Sequence, residues 1–155
     1  MERDKISVAK IVSSTSVDGV GLRTALYVAG CNLRCPDCHN KEWWNIDNGT
    51  WQDIEEVYCQ LMEPDENISI LGGEPLLQYE SIVELCRMIK QRTDKTIWLW
   101  SGHALADIQE HYPDILKYID VLVDGPFIQE YFQPNLKWRG STNQNVIDIK
   151  SIFQK

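Results

Sequence analysis

The chain has 155 residues, 43% of them hydrophobic and 25% charged, an ordinary globular composition with room for one domain. Its 15 lysines and arginines against 23 acids leave a net charge of −8, the wrong balance for a chain whose main partner is nucleic acid. The longest apolar runs, at residues 96–100 and 118–123, are far too short to span a membrane, and the opening MERDKISVAK has no continuous apolar leader segment. A cytoplasmic location is expected, where thiols stay reduced and clustered cysteines serve metals or catalysis.

Residues 6–12 alternate like a short strand, and VDGVG at 17–21 is turn chemistry. Residues 22–29 read as a buried strand that ends at Gly30 and a cysteine-rich loop. IDNGT at 46–50 is a second turn, with Thr50 and Asp53 spaced like a capping box. From there Trp51, Ile54, Val57, Tyr58, Leu61 and Met62 recur at helical spacing, and Pro64 lies just past the end. Residues 68–71 form a short apolar strand running into GGEP, and Ile82, Leu85, Cys86 and Ile89 mark a second amphipathic helix. TIWLW at 96–100 is a strand, followed by SGH and a short helix over 104–110. Residues 118–127 close on a further strand and turn, and 146–149 suit an edge strand.

Strands and helices thus alternate, which implies right-handed crossovers and a parallel sheet with helices packed on it, in a single domain over residues 1–155. Functional groups then gather at the C-terminal edge of the strands. Residues 31–38, 72–74, 101–102 and 124–125 each directly follow a predicted strand, so four motifs are expected on one rim.

Cys31, Cys35 and Cys38 fall within one loop, GCNLRCPDCHNKEWW. Thiolate is the soft ligand that selects iron–sulfur clusters, copper(I) or zinc. A structural zinc needs a fourth ligand, and His39, adjacent to Cys38, is poorly placed to chelate the same ion. A redox dithiol from Cys35 and Cys38 leaves Cys31 unexplained. Three thiolates on a tight loop suit a 4Fe-4S cube best, with one iron left open.

The spacing Cys31-x3-Cys35-x2-Cys38 after a first strand resembles the signature of the radical S-adenosylmethionine superfamily. Gly72, Gly73, Glu74 and Pro75 resemble that superfamily's motif for the methionine amino group. The resemblance implies that the open iron is chelated by S-adenosylmethionine, which the reduced cluster splits to methionine and a 5′-deoxyadenosyl radical. The residue types agree: Gly72 and Gly73 allow backbone to approach a ligand closely, and Glu74 supplies an acceptor for an ammonium. One departure is Asp37, at a position often aromatic in the superfamily; it removes no ligand.

VDGVGLR before the strand and CHNKEWWN from the third cysteine onward are similar to the activators of glycyl-radical proteins. IWLWSGH, DVLVDGPF and KWRGSTNQ, within a match running from about residue 17 to 144, resemble the activases of the anaerobic ribonucleotide reductase. This resemblance implies hydrogen abstraction from a glycine of the large reductase subunit, with reduced flavodoxin or ferredoxin as electron donor. It also implies a radical S-adenosylmethionine core, an incomplete TIM-type barrel of parallel strands with outer helices. A closed barrel of eight units needs about 250 residues, and an open one lets a protein loop enter from the side. Another radical enzyme, either a different glycyl-radical activator or a deazapurine-forming synthase, and a zinc-binding interaction module remain the alternatives.

Other residues carry plainer expectations. Cys59 and Cys86 lie on apolar helix faces and are expected in the core. Trp98 and Trp100 alternate on a strand and Trp51 sits at a helix start, which favours packing over stacking on adenine. His39 reads as a loop residue near the cluster, and His103 and His111 as exposed. Ser101 and Gly102 are placed to touch ribose or the methionine carboxylate. Asp124 suits either the site or an Asp-Gly turn, Asp18 and Gly19 either a hairpin or the site, and Arg139 a turn, a partner-binding loop or a cap over the cluster. Lys137 and Arg139 are one example of where a local basic patch could lie.

Overall fold

A computed structural model describes residues 4–15, 21–31, 45–125 and 144–149. These form a mixed α/β fold around a seven-stranded sheet: β1 (Lys5–Thr15), β2 (Arg23–Val28), β3 (Thr50–Asp53), β4 (Asn67–Gly72), β5 (Ile97–Trp100), β6 (Val121–Asp124) and β7 (Asn145–Asp148), in spatial order β3-β1-β2-β4-β5-β6-β7. The central strands β2, β4, β5 and β6 are mutually parallel. Between them run α1 (Ile54–Met62), α2 (Tyr79–Arg92) and α3 (Leu105–His111). The flanks are antiparallel: β3 on β1, β1 on β2, and β7 on β6, with Asn145–Asp148 at the edge expected from sequence.

Side chains alternate between the sheet's two faces. Leu26 and Val28, Ile68 and Ile70, Ile97 and Leu99, and Leu122 point to one side and form the core with α1 and α2. The helices present matching stripes, Ile54, Val57 and Leu61 on α1 and Ile82, Leu85, Cys86 and Ile89 on α2. The opposite face carries Arg23, Ser69 and Trp98. Arg23 donates to Ser69 Oγ at 2.9 Å and to the carbonyls of Ile68 and Thr96 at 2.6 and 3.1 Å, beneath the ring of Trp98. Burial pulls its guanidinium down to about 10.

Several expectations change. Thr50 and Asp53 do not cap a helix. Residues 50–53 pair with 5–8 of the long β1, and Asp53 makes no side-chain bond at the start of α1. Strand pairing overrides the local cap signal, so Trp51 lies on a strand and the helix begins at Ile54. Cys59 is exposed, because in that register it lies two residues from both Val57 and Leu61, on the far side of the helix. Cys86 is buried as expected, its thiol pushed up to about 12 by desolvation. The strand expected over 118–127 starts only at Val121, because Pro113–Lys117 form a 3₁₀ turn that ends at Tyr118. No helix among the described residues is long and apolar enough to cross a membrane.

Candidate functional site

The four parallel strands end side by side, and a continuous run of hydrogen bonds joins the loops that follow them. Gly73 N donates to Val28 O at 2.9 Å and Glu74 N to Gly30 O at 2.7 Å, so the loop after β4 is fastened to the residues that lead into Cys31. Glu74 then reaches the loop after β5. Its Oε2 accepts from Ser101 Oγ at 2.9 Å and Leu76 N at 3.0 Å, and its Oε1 from Gly102 N at 2.7 Å. Ser101 N donates to Val123 O, Gly125 N to His103 O, and Asp124 Oδ2 accepts from Leu105 N at the start of α3. Of the predicted motifs, residues 72–74, 101–102 and 124–125 and the first cysteine therefore do meet at one rim.

The two glycines owe their identity to this junction. A Cβ on Gly72, whose φ is +131°, would lie 2.4 Å from Val28 O, and one on Gly73 would lie 2.4 Å from Gly30 O. On the side that a Cβ would fill, the backbone of β2 and its exit approaches them.

Glu74 is only 1% exposed. Burial raises its carboxyl above the ordinary range, while the N–H groups of Gly102 and Leu76, the charge of His103 and the Ser101 hydroxyl pull the other way. Ser101 and Gly102 both spend their donors on this carboxylate, and Ser101 Oγ accepts from His103 N at 3.0 Å. His103 is not exposed as expected. Its ring is mostly covered, with Nδ1 2.8 Å from Asp107 Oδ2 one helical turn on and the ring face near Tyr112. His111 is exposed. Asp124 is a structural brace more than a turn former: its Oδ1 also takes N and Nδ2 of Asn145, joining β7 to the start of α3.

Cys31 is nearly buried and directly follows Gly30, whose φ of +94° turns the chain out of β2. Cys35, Cys38, His39 and Asp37 lie outside the described residues, as do Asp18, Gly19, Lys137 and Arg139. Sequence reasoning missed Gln78, which is buried beside Ala29; its only signal is one amide side chain closing the short run Pro75, Leu76, Leu77.

Fold and rim together define a class. Residues 17–147 match the family described as the 4Fe-4S single cluster domain. Among curated relatives, the anaerobic ribonucleoside-triphosphate reductase-activating protein of Vibrio cholerae is 37% identical over 137 residues, covering 83% of this chain and 88% of that protein. The protein of the same name from Escherichia coli K12 is 35% identical over 143 residues, 86% and 93% of the two chains, and that of bacteriophage T4 is 36% identical over 137 residues, 84% and 86%. The chain belongs to the family of anaerobic ribonucleoside-triphosphate reductase-activating proteins.

Proposed function

We propose that this chain activates an anaerobic ribonucleotide reductase as a radical S-adenosylmethionine enzyme. Cys31, Cys35 and Cys38 would hold a 4Fe-4S cluster, and the side formed by Gly72, Gly73, Glu74, Ser101 and Gly102 would take S-adenosylmethionine at the open iron. When bound, the reduced cluster and its cofactor supply a 5′-deoxyadenosyl radical able to take a hydrogen atom from a glycine of the reductase subunit. Three thiolates in one loop are the donor set that such a cluster needs.

The observation that carries the reading is the Gly30–Glu74 bond. It sets the stem of the cysteine loop against a buried carboxylate whose position is fixed by three donors. A carboxylate offers about four acceptor positions, two on each oxygen. Oε2 uses both of its own within the described residues, and Oε1 uses one, which leaves an acceptor for the ammonium of the cofactor. Glu74 would touch the cofactor, and Ser101 and Gly102 would act by holding Glu74 in place.

We further propose that the sheet is the wall of an incomplete barrel. In support, β2, β4, β5 and β6 succeed one another in a single direction. Right-handed crossovers then put all connecting helices on one face and leave the other for the site. That open side suits a substrate presented as a loop of a large protein. The partner is the large reductase subunit, the electron donor a reduced flavodoxin or ferredoxin, and neither nucleic acid nor membrane takes part. A cytoplasmic location agrees with Cys59 and Cys86 being free thiols.

Anaerobic reconstitution with iron and sulfide tests this. The expected product holds about four irons per chain. After reduction it releases methionine and deoxyadenosine from S-adenosylmethionine, and with a reductase subunit it gives a glycyl electron-spin doublet. Replacing Cys31, Cys35 or Cys38 with Ala abolishes the cluster. Stoichiometric zinc in place of iron, or a cluster with every metal filled by side chains, overturns the proposal.

A further inference from the structure

Three successive carbonyls at the exit of β2 are each taken up by the segment after β4. Val28 O goes to Gly73 N and Gly30 O to Glu74 N, and between them Ala29 O accepts from Gln78 Nε2 at 3.0 Å. Gln78 also faces β1. Its Oε1 accepts from Ser7 N at 2.9 Å, and its Nε2 donates to Ser7 O at 3.2 Å, the same carbonyl that takes Ala29 N at 3.0 Å. Both amide protons and the amide oxygen of Gln78 are thereby placed. The β1–β2 ladder reaches only Val8 and Val28. Beyond it, Ala29 N still meets Ser7 O, and the Gln78 side chain bridges the other two groups of that pair, Ser7 N and Ala29 O.

Ser7 then reaches the far end of the cysteine loop. Its Oγ donates to Ile46 O at 2.5 Å. A Cβ on Gly49 would lie 2.5 Å from that hydroxyl and 2.8 Å from Ala29 Cβ, and a Cβ on Gly30 would lie 3.0 Å from Ile46 Cβ. Residues 29–31, where the loop begins, and 46–49, just past its end, therefore touch one another across Ser7. Ser7 is fully buried and Gln78 is 8% exposed, so water does not compete strongly for these bonds.

We propose that Gln78 and Ser7 are positioning residues that hold the stem of the cysteine loop shut, and in fixed register with Glu74, before any cluster is bound. The consequence for chemistry rests on the function proposed above. Cys31 and Glu74 then move as one body, so a group bound by the first is presented to the second without further ordering of the chain.

Two variants test this in the full-length chain. Gln78→Leu keeps the bulk and removes all three bonds; Ser7→Ala leaves every backbone bond and removes only the tie to Ile46. Amide hydrogen exchange of the metal-free protein should quicken at least tenfold at Ala29 and Glu74 in Gln78→Leu, and severalfold at Asn48 and Gly49 in Ser7→Ala. The amides of Ile70 and Leu99 should keep their rates. After reconstitution, Gln78→Leu should lose iron to a chelator at least tenfold faster than wild type and bind S-adenosylmethionine at least tenfold more weakly. If Gln78→Leu does not fold, Ser7→Ala carries the test alone. Unchanged exchange at these four amides, or an equal rise across the whole chain, overturns the proposal. So does wild-type iron retention in a folded Gln78→Leu. Should wild type take up no cluster while the exchange pattern responds as stated, the proposed function falls and the clasp stands.

Discussion

Gly73→Ala probes the junction between the cysteine loop and the Glu74 loop through one methyl group. That methyl would lie 2.4 Å from Gly30 O and 2.9 Å from Gly30 C, both backbone atoms that cannot rotate away. Unstrained contacts to carbon lie near 3.5 Å, so the loops must part by about 1 Å. The bond from Glu74 N to Gly30 O, 2.7 Å long, would stretch past the range of a hydrogen bond. Losing it costs about 1 kcal/mol, and the crowding adds about 1–3 kcal/mol. A total of about 2–4 kcal/mol lowers the melting temperature of a chain this size by roughly 5–15 °C.

Thermal unfolding of the metal-free chain measures that loss, and iron content after reconstitution shows whether the cysteine loop has shifted. Gly21→Ala is the control. Gly21 has φ +77° and no atom within 4 Å of its would-be Cβ, so only left-handed strain remains, about 1–2 kcal/mol. Gly73 is not among the positive-φ glycines, so its penalty is contact alone. Should Gly73→Ala melt within 2 °C of wild type, or iron loading stay complete, the close approach of the two loops is not what requires glycine there.

Two further outcomes follow from the site. Glu74→Gln must place its amide oxygen where Oε2 accepts two donors, which turns its NH₂ against Gly102 N–H. It should retain the cluster and weaken S-adenosylmethionine binding by about 1.5–3 kcal/mol, roughly tenfold to a hundredfold, as read by equilibrium titration of the reconstituted protein; unchanged affinity removes Glu74 from the site. The folded state raises the Glu74 carboxyl, so its contribution to stability is fully present below the ordinary carboxylate range and is lost as pH rises through the raised value. Glu74→Gln should erase that slope in denaturant titrations across the same window, and a slope that persists assigns it to another group. Cys59→Ser, on the exposed side of α1, should change stability by less than about 0.5 kcal/mol and leave radical formation intact; a dead variant would give that thiol a role the fold does not suggest.

How much of this was legible in the sequence depends on the range of the interaction that decides each residue. β2, β4 and β5 and the stripes of α1 and α2 follow from local apolar patterning, and they appear within a few residues of where it places them. Thr50 and Asp53 carry an equally good local signal, but the free edge of β1, more than forty residues earlier in the chain, claims them for a strand. Cys59 lies two residues from both Val57 and Leu61, off the stripe those residues mark, so its exposure follows from the helical period itself. Gln78 and Ser7 are 71 positions apart, and nothing near either hints at the other. Gly72 and Gly73 sit between these cases. Their identity was readable because only glycine tolerates such close approach, but that the carbonyl-rich exit of β2 makes such an approach could not be read locally. A motif recognised by its residues can therefore owe them to the architecture that aims the chemistry. In this chain the glycines keep the β2 exit and the Glu74 loop in contact, and among the described residues three donors fix the Glu74 carboxylate beside that junction.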